Sequence, residues 1–250
     1  MGNKVKNDKL IQCFKGQNSF TTNDVYGFFS KTQTGIKRAT VNWRIYELVR
    51  QGLLQRIGRG VYALGKGKSF IPIPHKKQKS ISFLLKKQFP FITFCCWHTS
   101  VLKEFYQHVA VHDFLLVEVE RDIIDSVFHF LKETNKNTLK EPSQDVIENF
   151  VFNSKDAIIV KPLISEAPLQ SVDNNSIPAL EKILVDLYAD SEIFFFLQGN
   201  EMLNIFENAV EKYTVNTDKL LRYAKRRNKK DEIQQILERV LNQTIGKKQE

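Results

Sequence analysis

The chain has 250 residues, 42% of them hydrophobic and 26% charged, which is typical of a folded globular protein with a substantial core. No apolar run approaches the roughly 18 residues that span a bilayer, and the opening MGNKVKNDK lacks the apolar segment of a signal peptide. The cysteines Cys13, Cys95 and Cys96 give neither a disulfide framework nor zinc-ligand spacing. We therefore expect a cytoplasmic protein without membrane association, in which Cys95 and Cys96 are small buried residues of a strand.

The net charge of +9 is distributed unevenly along the chain. Residues 1–80 contain 16 Lys and Arg against 3 Asp and Glu, whereas residues 101–218 contain 9 against 21. Residues 219–250 are basic again, with 10 against 4. A basic N-terminal module beside an acidic body is typical of a phosphate-binding domain attached to a region with another role.

The first residues predict two short helices. Residues 9–14 read as the first, and residues 23–30 as the second. Thr21 is the predicted N-cap of the second helix, because Asp24 follows three residues later as in a capping box. Residues 31–35 then form the turn that leads into the next helix.

The stretch 34–64, TGIKRATVNWRIYELVRQGLLQRIGRGVYAL, is the centre of the N-terminal module. Its first part predicts an amphipathic helix that ends at Gly52. The apolar face of this helix comprises Val41, Ile45, Leu48 and Val49. The second part predicts a short hairpin, with strands over 53–57 and 61–64 and a Gly-Arg-Gly tip.

A helix followed by a hairpin with an arginine at its tip is the second half of a winged helix-turn-helix, a fold that reads duplex DNA. We assign residues 1–66 to this domain. An ordinary helix and hairpin with a solvated charged face is the alternative, but the outward Trp43 favours DNA binding because a large exposed aromatic needs a partner to cover it. The candidate DNA contacts are Lys37, Arg38, Thr40, Trp43, Arg44, Arg56 and Arg59.

Residues 67–79 predict a basic linker between the two halves of the chain. Pro72 and Pro74 hold it extended, and its charge suits a path along a DNA backbone. Gly67-Lys68-Ser69 resembles the end of a P-loop, but Tyr62 stands where the first glycine of that loop is required. No nucleotide site is therefore predicted.

Residues 80–250, which we call the body, predict an α/β domain with a helical tail, so that the whole chain is α+β. Residues 168–178 are predicted to be a loop. Strands are predicted over residues 91–97, 114–119 and 157–162. Helices are predicted over residues 81–88, 101–108, 123–132, 145–152, 179–189, 192–196, 201–213, 217–228 and 231–241.

The body contains no clear catalytic constellation. Asp113, Glu118 and Glu120 are similar in type to the acids of a two-metal nuclease, but the nearest strand lysine, Lys161, is distant along the chain. The ordinary reading places Glu118 and Glu120 on the exposed side of a strand. We therefore expect no enzyme, metal or cofactor, and a metal-dependent nuclease targeted to DNA by its winged helix is the alternative.

The tail carries seven basic residues between positions 219 and 230, on a predicted helix whose packing face is Leu220, Leu221 and Ala224. A solvated surface helix accounts for this pattern, and so does a second contact with nucleic acid or with an acidic partner. The candidate residues for such a contact are Arg222, Lys225, Arg226, Arg227 and Lys229.

Several stretches of the chain resemble the AbiEi-type antitoxins, which are transcriptional regulators of abortive-infection operons in phage defence. These stretches are LQRIGRGVYAL at 54–64, WHT at 97–99, VEVE at 117–120, IVKPL at 159–163, SEAPL at 165–169, LEKILVDL at 180–187 and LRYA at 221–224. The resemblance implies a type IV toxin–antitoxin pair. In such a pair the winged helix represses its own operon at inverted repeats in duplex DNA.

The resemblance also implies that the C-terminal domain opposes a nucleotidyltransferase toxin, without a stable complex being required. Carried onto this sequence, the operator contacts fall on Arg38, Thr40, Trp43 and Arg44 of the helix and on Arg56 and Arg59 of the hairpin. No catalytic residue is transferred by the resemblance, in agreement with the absence of a catalytic pattern.

Overall fold

The chain adopts a mixed helix and strand fold in the parts that the computed structural model describes, residues 2–17, 19–65, 68–106 and 113–246. This confirms the predicted α+β class. Within these ranges no helix is long and apolar enough to cross a membrane. The N-terminal elements are α1 (Gly2–Phe14), β1 (Phe20–Thr21), α2 (Thr22–Thr32), α3 (Arg38–Arg50), β2 (Leu54–Gly58) and β3 (Val61–Leu64).

Helix α2 begins at the predicted capping box. The backbone amide of Asp24 donates to the Thr21 hydroxyl at 3.2 Å, and the backbone amide of Thr21 donates to the Asp24 carboxylate at 2.7 Å. The hydrogen bonds from the Thr21 amide and hydroxyl lower the pKa of Asp24. Two of the orphan amides at the start of the helix are satisfied in this way.

Helix α3 has the predicted apolar face. Val41, Ile45 and Leu48 are buried, and Val49 is half-buried against the same core. The helix ends before Gly52, which adopts a left-handed conformation with φ of 71°. The chain then enters the predicted hairpin, in which β2 and β3 pair antiparallel.

The hairpin belongs to a three-stranded sheet with the order β1-β3-β2. Strand β1 was not predicted, because two residues are too few to produce an alternating pattern. Its Phe20 pairs with Tyr62 of β3 and stacks on Phe14 of α1, with ring centroids 4.1 Å apart. The strand therefore ties the first helix to the hairpin.

The body contains a second sheet with the order β4-β5-β7-β6, in which β5, β7 and β6 are parallel and β4 is antiparallel to β5. Cys95 and Cys96 are buried in β4, as predicted, and belong to the cores on opposite faces of the sheet. The elements are α4 (Lys76–Gln88), β4 (Phe94–His98), β5 (Leu115–Val119), α5 (Ile124–Thr134), β6 (Thr138–Lys140), α6 (Gln144–Val146) and β7 (Ile158–Pro162).

Helices cover both faces of this sheet. One face packs against α4 and α5 through Ile81, Leu85, Val127 and Leu131. The other face packs against the helical tail that was predicted from the sequence. The remaining elements are β8 (Leu169–Val172), β9 (Asn175–Pro178), α7 (Leu180–Ala189), α8 (Asn200–Lys212), α9 (Thr217–Arg226) and α10 (Lys230–Gly246).

Several predicted boundaries in the body were wrong. The predicted loop 168–178 is a two-stranded hairpin, β8 with β9, whose turn residues Asp173 and Asn174 have φ of 49° and 60°. Strand β6 was missed because it has three residues. The predicted helix 101–108 is a 3-10 helix over Thr99–Glu104, and residues 107–108 lie outside the described residues.

The predicted linker is attached to the body in the structure. Residues 68–75 have no regular secondary structure, while Lys76 to Lys79 form the first turn of α4; residue 67 lies outside the described residues. Phe70 is buried in the core of the body, with its ring 5.6 Å from Phe105 and 5.2 Å from Tyr213. The segment is therefore anchored at Phe70 and is not a free tether.

The capping box generates a stability prediction. Thr21→Ala removes the hydroxyl that accepts from the Asp24 amide, so we expect a loss of about 1 kcal/mol in the free energy of unfolding. The midpoint of urea unfolding, followed by circular dichroism, measures this loss. Thr21→Ser keeps the hydroxyl and is the matched control, so an equal loss in both variants would contradict the assignment.

Candidate nucleic-acid interface

The outward face of α3 presents most of the predicted contact residues to solvent. Lys37, Arg38 and Thr40 are exposed at the start of the helix, and Trp43 has 61% of its surface exposed. Tyr46, one turn further on, is 63% exposed. Tyr46 was not among the predicted contacts, although its i+3 spacing from Trp43 places both on one face.

Arg44 is half-buried against α2, whereas Arg38 stays exposed although its guanidinium lies over the Tyr26 ring at 5.2 Å. The Arg44 guanidinium lies over the ring of Phe29 at 4.8 Å and donates a hydrogen bond to Oε1 of Gln33 at 3.0 Å. The Nη1 atom is buried without a hydrogen-bond partner among the described residues. Arg44 therefore braces α3 against α2, and its predicted contact with DNA stays a prediction.

The hairpin places one arginine at its tip and one on its strand. Arg59 is exposed in the turn, where Gly60 adopts φ of 71°. The Gly60 carbonyl accepts a hydrogen bond from the backbone amide of Thr22 at 2.8 Å, so the tip is fixed against the start of α2. Arg56 is exposed, and its Nε donates to the carbonyl of Gly58 at 3.2 Å.

The outer edge of β2 contacts the N-terminus of α9 in the body. The hydroxyl of Thr217 donates to the carbonyl of Ile57 at 3.0 Å, and the hydroxyl of Thr214 donates to Oε1 of Gln55 at 2.8 Å. A Cβ atom on Gly58 would lie 2.9 Å from the Thr217 hydroxyl oxygen, which explains the glycine at this close approach. The hairpin is thus supported by the body.

The basic residues of the tail do not form one exposed cluster. Arg227 is bonded to Asp190 at 2.5 Å and lies 3.5 Å from Asp186, so its guanidinium is already engaged within the body. Its predicted contact with nucleic acid or a partner stays a prediction. Burial lowers the pKa of Arg227, but the two carboxylates outweigh burial and raise it. Lys229 pairs with Glu232 at 3.4 Å.

The three remaining candidates of the tail lie on the surface of α9. Arg226 pairs with Glu166 at 3.4 Å and is therefore partly engaged. Arg222 and Lys225 are exposed, and neither has an ion-pair partner within the described part of the chain. These two side chains are the basic residues of α9 that remain available to an external partner.

The body contains a buried group of charges that we call the ionic cluster: Glu118, Lys161, Lys182, Asp186, Asp190 and Arg227. Lys182 Nζ lies 2.6 Å from Glu118 and 2.5 Å from Asp186. Glu118 has 1% of its surface exposed, so its predicted position on the exposed side of β5 was wrong. Lys161 stands directly opposite it in the β5–β7 register, although the two are distant in sequence.

The charges of the ionic cluster balance, with three carboxylates and three cations. Burial alone lowers the pKa of Lys182, but the adjacent Asp186 and Glu118 carboxylates outweigh it and hold that pKa well above its ordinary value. Burial raises the pKa of Asp186, but the cations Lys182, Lys161 and Arg227 together outweigh burial and lower it. Lys182 and Asp186 therefore stay ionised together.

The acids proposed for nuclease chemistry are not brought together. Asp113 and Glu120 lie at opposite ends of β5, roughly 20 Å apart by the rise of a strand. Asp113 pairs with Lys103 at 2.5 Å, and Glu118 is occupied by Lys182. No three His, Cys, Asp or Glu side chains of the described ranges are arranged to hold a metal ion.

A cavity of about 330 Å³ opens at the carboxyl ends of the parallel strands, beside the ionic cluster. Arg121 and Glu141 line its rim, and Lys161, Asp190 and Arg227 line its inner wall. Ligands of α/β proteins commonly bind at this edge of a sheet. Here, however, Asp190 already pairs with both inner cations. The charged residues of the whole lining also balance, with the cations Arg121, Lys161 and Arg227 against the carboxylates Glu141, Asp190 and Glu192.

The ionic cluster generates a second stability prediction. Lys182→Met leaves two buried carboxylates without their nearest cation, so we expect a loss of about 3–5 kcal/mol in the free energy of unfolding. Adding Glu118→Gln removes one of these charges, and the double variant should lose at least about 1 kcal/mol less than the sum of the single losses. Urea unfolding measures both values, with exposed Lys155→Met as the control; simple additivity would contradict the coupling.

Comparison with protein families gives two matches. Residues 8–65 match the family model described as transcriptional regulator, AbiEi antitoxin. This confirms the resemblance to AbiEi-type antitoxins. Comparison with curated proteins found no match. Residues 40–243 match the model described as a family of unknown function, DUF6577. Because this match covers most of the chain, the protein belongs to the DUF6577 family, and it carries an AbiEi-type regulator segment at its N-terminus.

Proposed function

We propose that the protein is a cytoplasmic DNA-binding autorepressor and the antitoxin of a type IV toxin–antitoxin pair. The observation that carries this proposal is the exposed face of α3 beside a hairpin with Arg59 at its tip, within a segment that matches an AbiEi antitoxin regulator. In this proposal residues 1–66 are a winged helix-turn-helix, residues 67–79 a linker and residues 80–250 the antitoxin domain. Helix α3 reads the major groove, and the hairpin is the wing.

Phosphate contacts supply most of the affinity in this proposal. Lys37 and Arg38 precede and begin α3, where the helix N-terminus also attracts anions. Arg59 at the hairpin tip suits a phosphate or a narrow minor groove. The excess of basic over acidic residues in positions 1–80 attracts the duplex as a whole.

Base contacts fall on the outward face of α3 in this proposal. Thr40, Trp43 and Tyr46 are exposed there and provide hydroxyl and aromatic groups suited to base edges and thymine methyl groups. Arg44 acts by positioning α3 through its contacts with Phe29 and Gln33. Arg56 contributes charge from the hairpin strand.

The body opposes a nucleotidyltransferase toxin in this proposal and does not act as an enzyme itself. The nuclease alternative is disfavoured because Glu118 is committed to Lys182 in a buried, balanced cluster, and because Asp113 and Glu120 lie at opposite ends of β5. Neutralisation of the toxin does not require a stable complex.

The DNA-binding role generates a prediction for the full-length chain. Lys37→Ala with Arg38→Ala removes two charges from the start of α3, and we expect at least about tenfold weaker binding to the duplex upstream of the protein's own gene. The slope of log affinity against log salt should become less steep by about 0.9 for each phosphate that the variant no longer neutralises. Gel-shift titrations at several salt concentrations measure both quantities.

Lys136→Ala with Lys155→Ala is the matched control for this pair. Both lysines are exposed on the body, so their removal changes the net charge equally without touching α3 or the hairpin. Equal weakening by the two pairs would indicate an effect of net charge alone. Absence of binding by the unaltered chain at low salt would contradict the DNA-binding role.

The antitoxin role generates a separate prediction in cells. The triple variant Lys37→Ala, Arg38→Ala and Arg59→Ala should derepress a reporter under the protein's own promoter. It should still rescue growth when it is expressed from an unrelated promoter together with the toxin gene, because the altered residues lie outside the body. A variant that folds normally by circular dichroism and yet fails to rescue would contradict this separation.

A further inference from the structure

The point where the hairpin meets the body is also the point where α9 begins. Thr217, the first residue of α9, donates its hydroxyl to Ile57 on the outer edge of β2. Thr214 lies three residues earlier and makes two hydrogen bonds near this point. Its hydroxyl donates to Oε1 of Gln55 in β2, and its backbone amide donates to the carbonyl oxygen of Lys68 at 3.0 Å. The start of α9 is therefore beside the proposed wing.

The outward face of α9 continues from this junction. Leu220, Tyr223 and Ala224 are buried against the body, which leaves Arg222 and Lys225 exposed on the opposite face. At 1.5 Å per residue, these two lie about 7.5 and 12 Å along the helix from Thr217. Their i,i+3 spacing places them next to each other on the helix surface.

Neither cation has an ion-pair partner among the residues that the structure describes. Their neighbours Lys219, Arg226 and Arg227 pair with Glu181, Glu166 and Asp190, whereas Arg222 and Lys225 have no such partner within the described ranges. Asp218 is the one acidic residue in the sequence of α9, and it lies in the first turn. The exposed face of the C-terminal half of α9, where Arg222 and Lys225 lie, is therefore positively charged.

We infer that Arg222 and Lys225 bind the phosphate backbone of the duplex next to the segment that the hairpin contacts. This inference rests on the proposed DNA-binding function and extends the interface from the N-terminal domain onto the body. A duplex carries one phosphate charge about every 1.7 Å of its length, so the basic ridge that Arg222 and Lys225 form, about 4.5 Å long on the helix axis, can bring each cation to a phosphate. The hydrogen bonds of Thr214 and Thr217 hold the ridge and the hairpin side by side.

Duplex DNA fits this face better than an acidic protein segment does, because the face begins at the proposed wing. Phosphate contacts also need no shaped pocket, and none of the described cavities includes Arg222 or Lys225. Contacts of this kind add affinity without reading sequence. The body thus extends the stretch of duplex that the protein contacts, while α3 selects the sequence at which it binds.

The test uses the full-length chain with Arg222→Gln and Lys225→Gln. We expect about tenfold weaker binding to a long duplex centred on the protected site, and a salt slope less steep by about 1.8. Nuclease footprinting should show a shorter protected region, with the shortening on the hairpin side. Lys136→Gln with Lys155→Gln is the matched control, because it removes two exposed charges elsewhere on the body and should leave all three readouts unchanged.

The outcomes separate this inference from the proposed function. If the unaltered chain does not bind duplex DNA, both fall together. If it binds and the Arg222 and Lys225 pair binds with the same affinity, salt slope and footprint, only this inference is wrong. Loss of toxin rescue with DNA binding intact would also overturn it, since the face would then serve a protein partner.

Three further variants guard against a loss of folding. Arg222→Lys with Lys225→Arg keeps both charges and should keep the salt slope, whereas a reduced slope would overturn the inference. Each single glutamine variant should reduce the slope by about 0.9, and circular dichroism verifies that α9 is intact in all of them.

Discussion

The ion pair between Lys182 and Glu118 is the contact on which the body depends. It joins α7 to the centre of the parallel sheet, and Trp97 of β4 donates its indole N–H to the same carboxylate at 3.1 Å. Lys182 also bonds Asp186, which accepts from the hydroxyl of Tyr223 in α9 at 2.8 Å. An isolated charge at this depth would be strongly unfavourable, so the groups stabilise the fold only as a complete set.

Helix α9 connects this buried set to the N-terminal module. Arg227, at the C-terminal cap of α9, bonds Asp190 in the ionic cluster, and Thr217 at its N-terminus bonds Ile57 of the hairpin. Two regions that differ in charge and in structural pattern are therefore joined by one rigid element of ten residues.

The sequence predicted the local features of the N-terminal module well, because Gly52, the 58–60 turn and the Thr21 cap each have a local physical cause. It missed the hairpin of β8 and β9, although Asp173 and Asn174 are turn residues that favour positive φ. The ionic cluster was missed for another reason. Its members come from β5, β7, α7 and the end of α9, and their contact follows from strand register and helix packing, which single-sequence patterns do not encode. The same limit applies to Arg44 and Arg227, whose partners are remote in sequence or in another element.

The contact between Thr217, at the start of α9, and strand β2 has a consequence for truncated copies of the chain. In the sheet order β1-β3-β2, strand β2 has a second edge that no strand of the described residues covers, and the start of α9 lies against this edge. A chain that ends before residue 214, whether through proteolysis or an interrupted translation, leaves the backbone groups of that edge open to strand addition. Open edges promote self-association. Truncated copies of this protein therefore expose, in β2, an edge strand through which they can self-associate, whereas α9 covers that edge in the intact molecule.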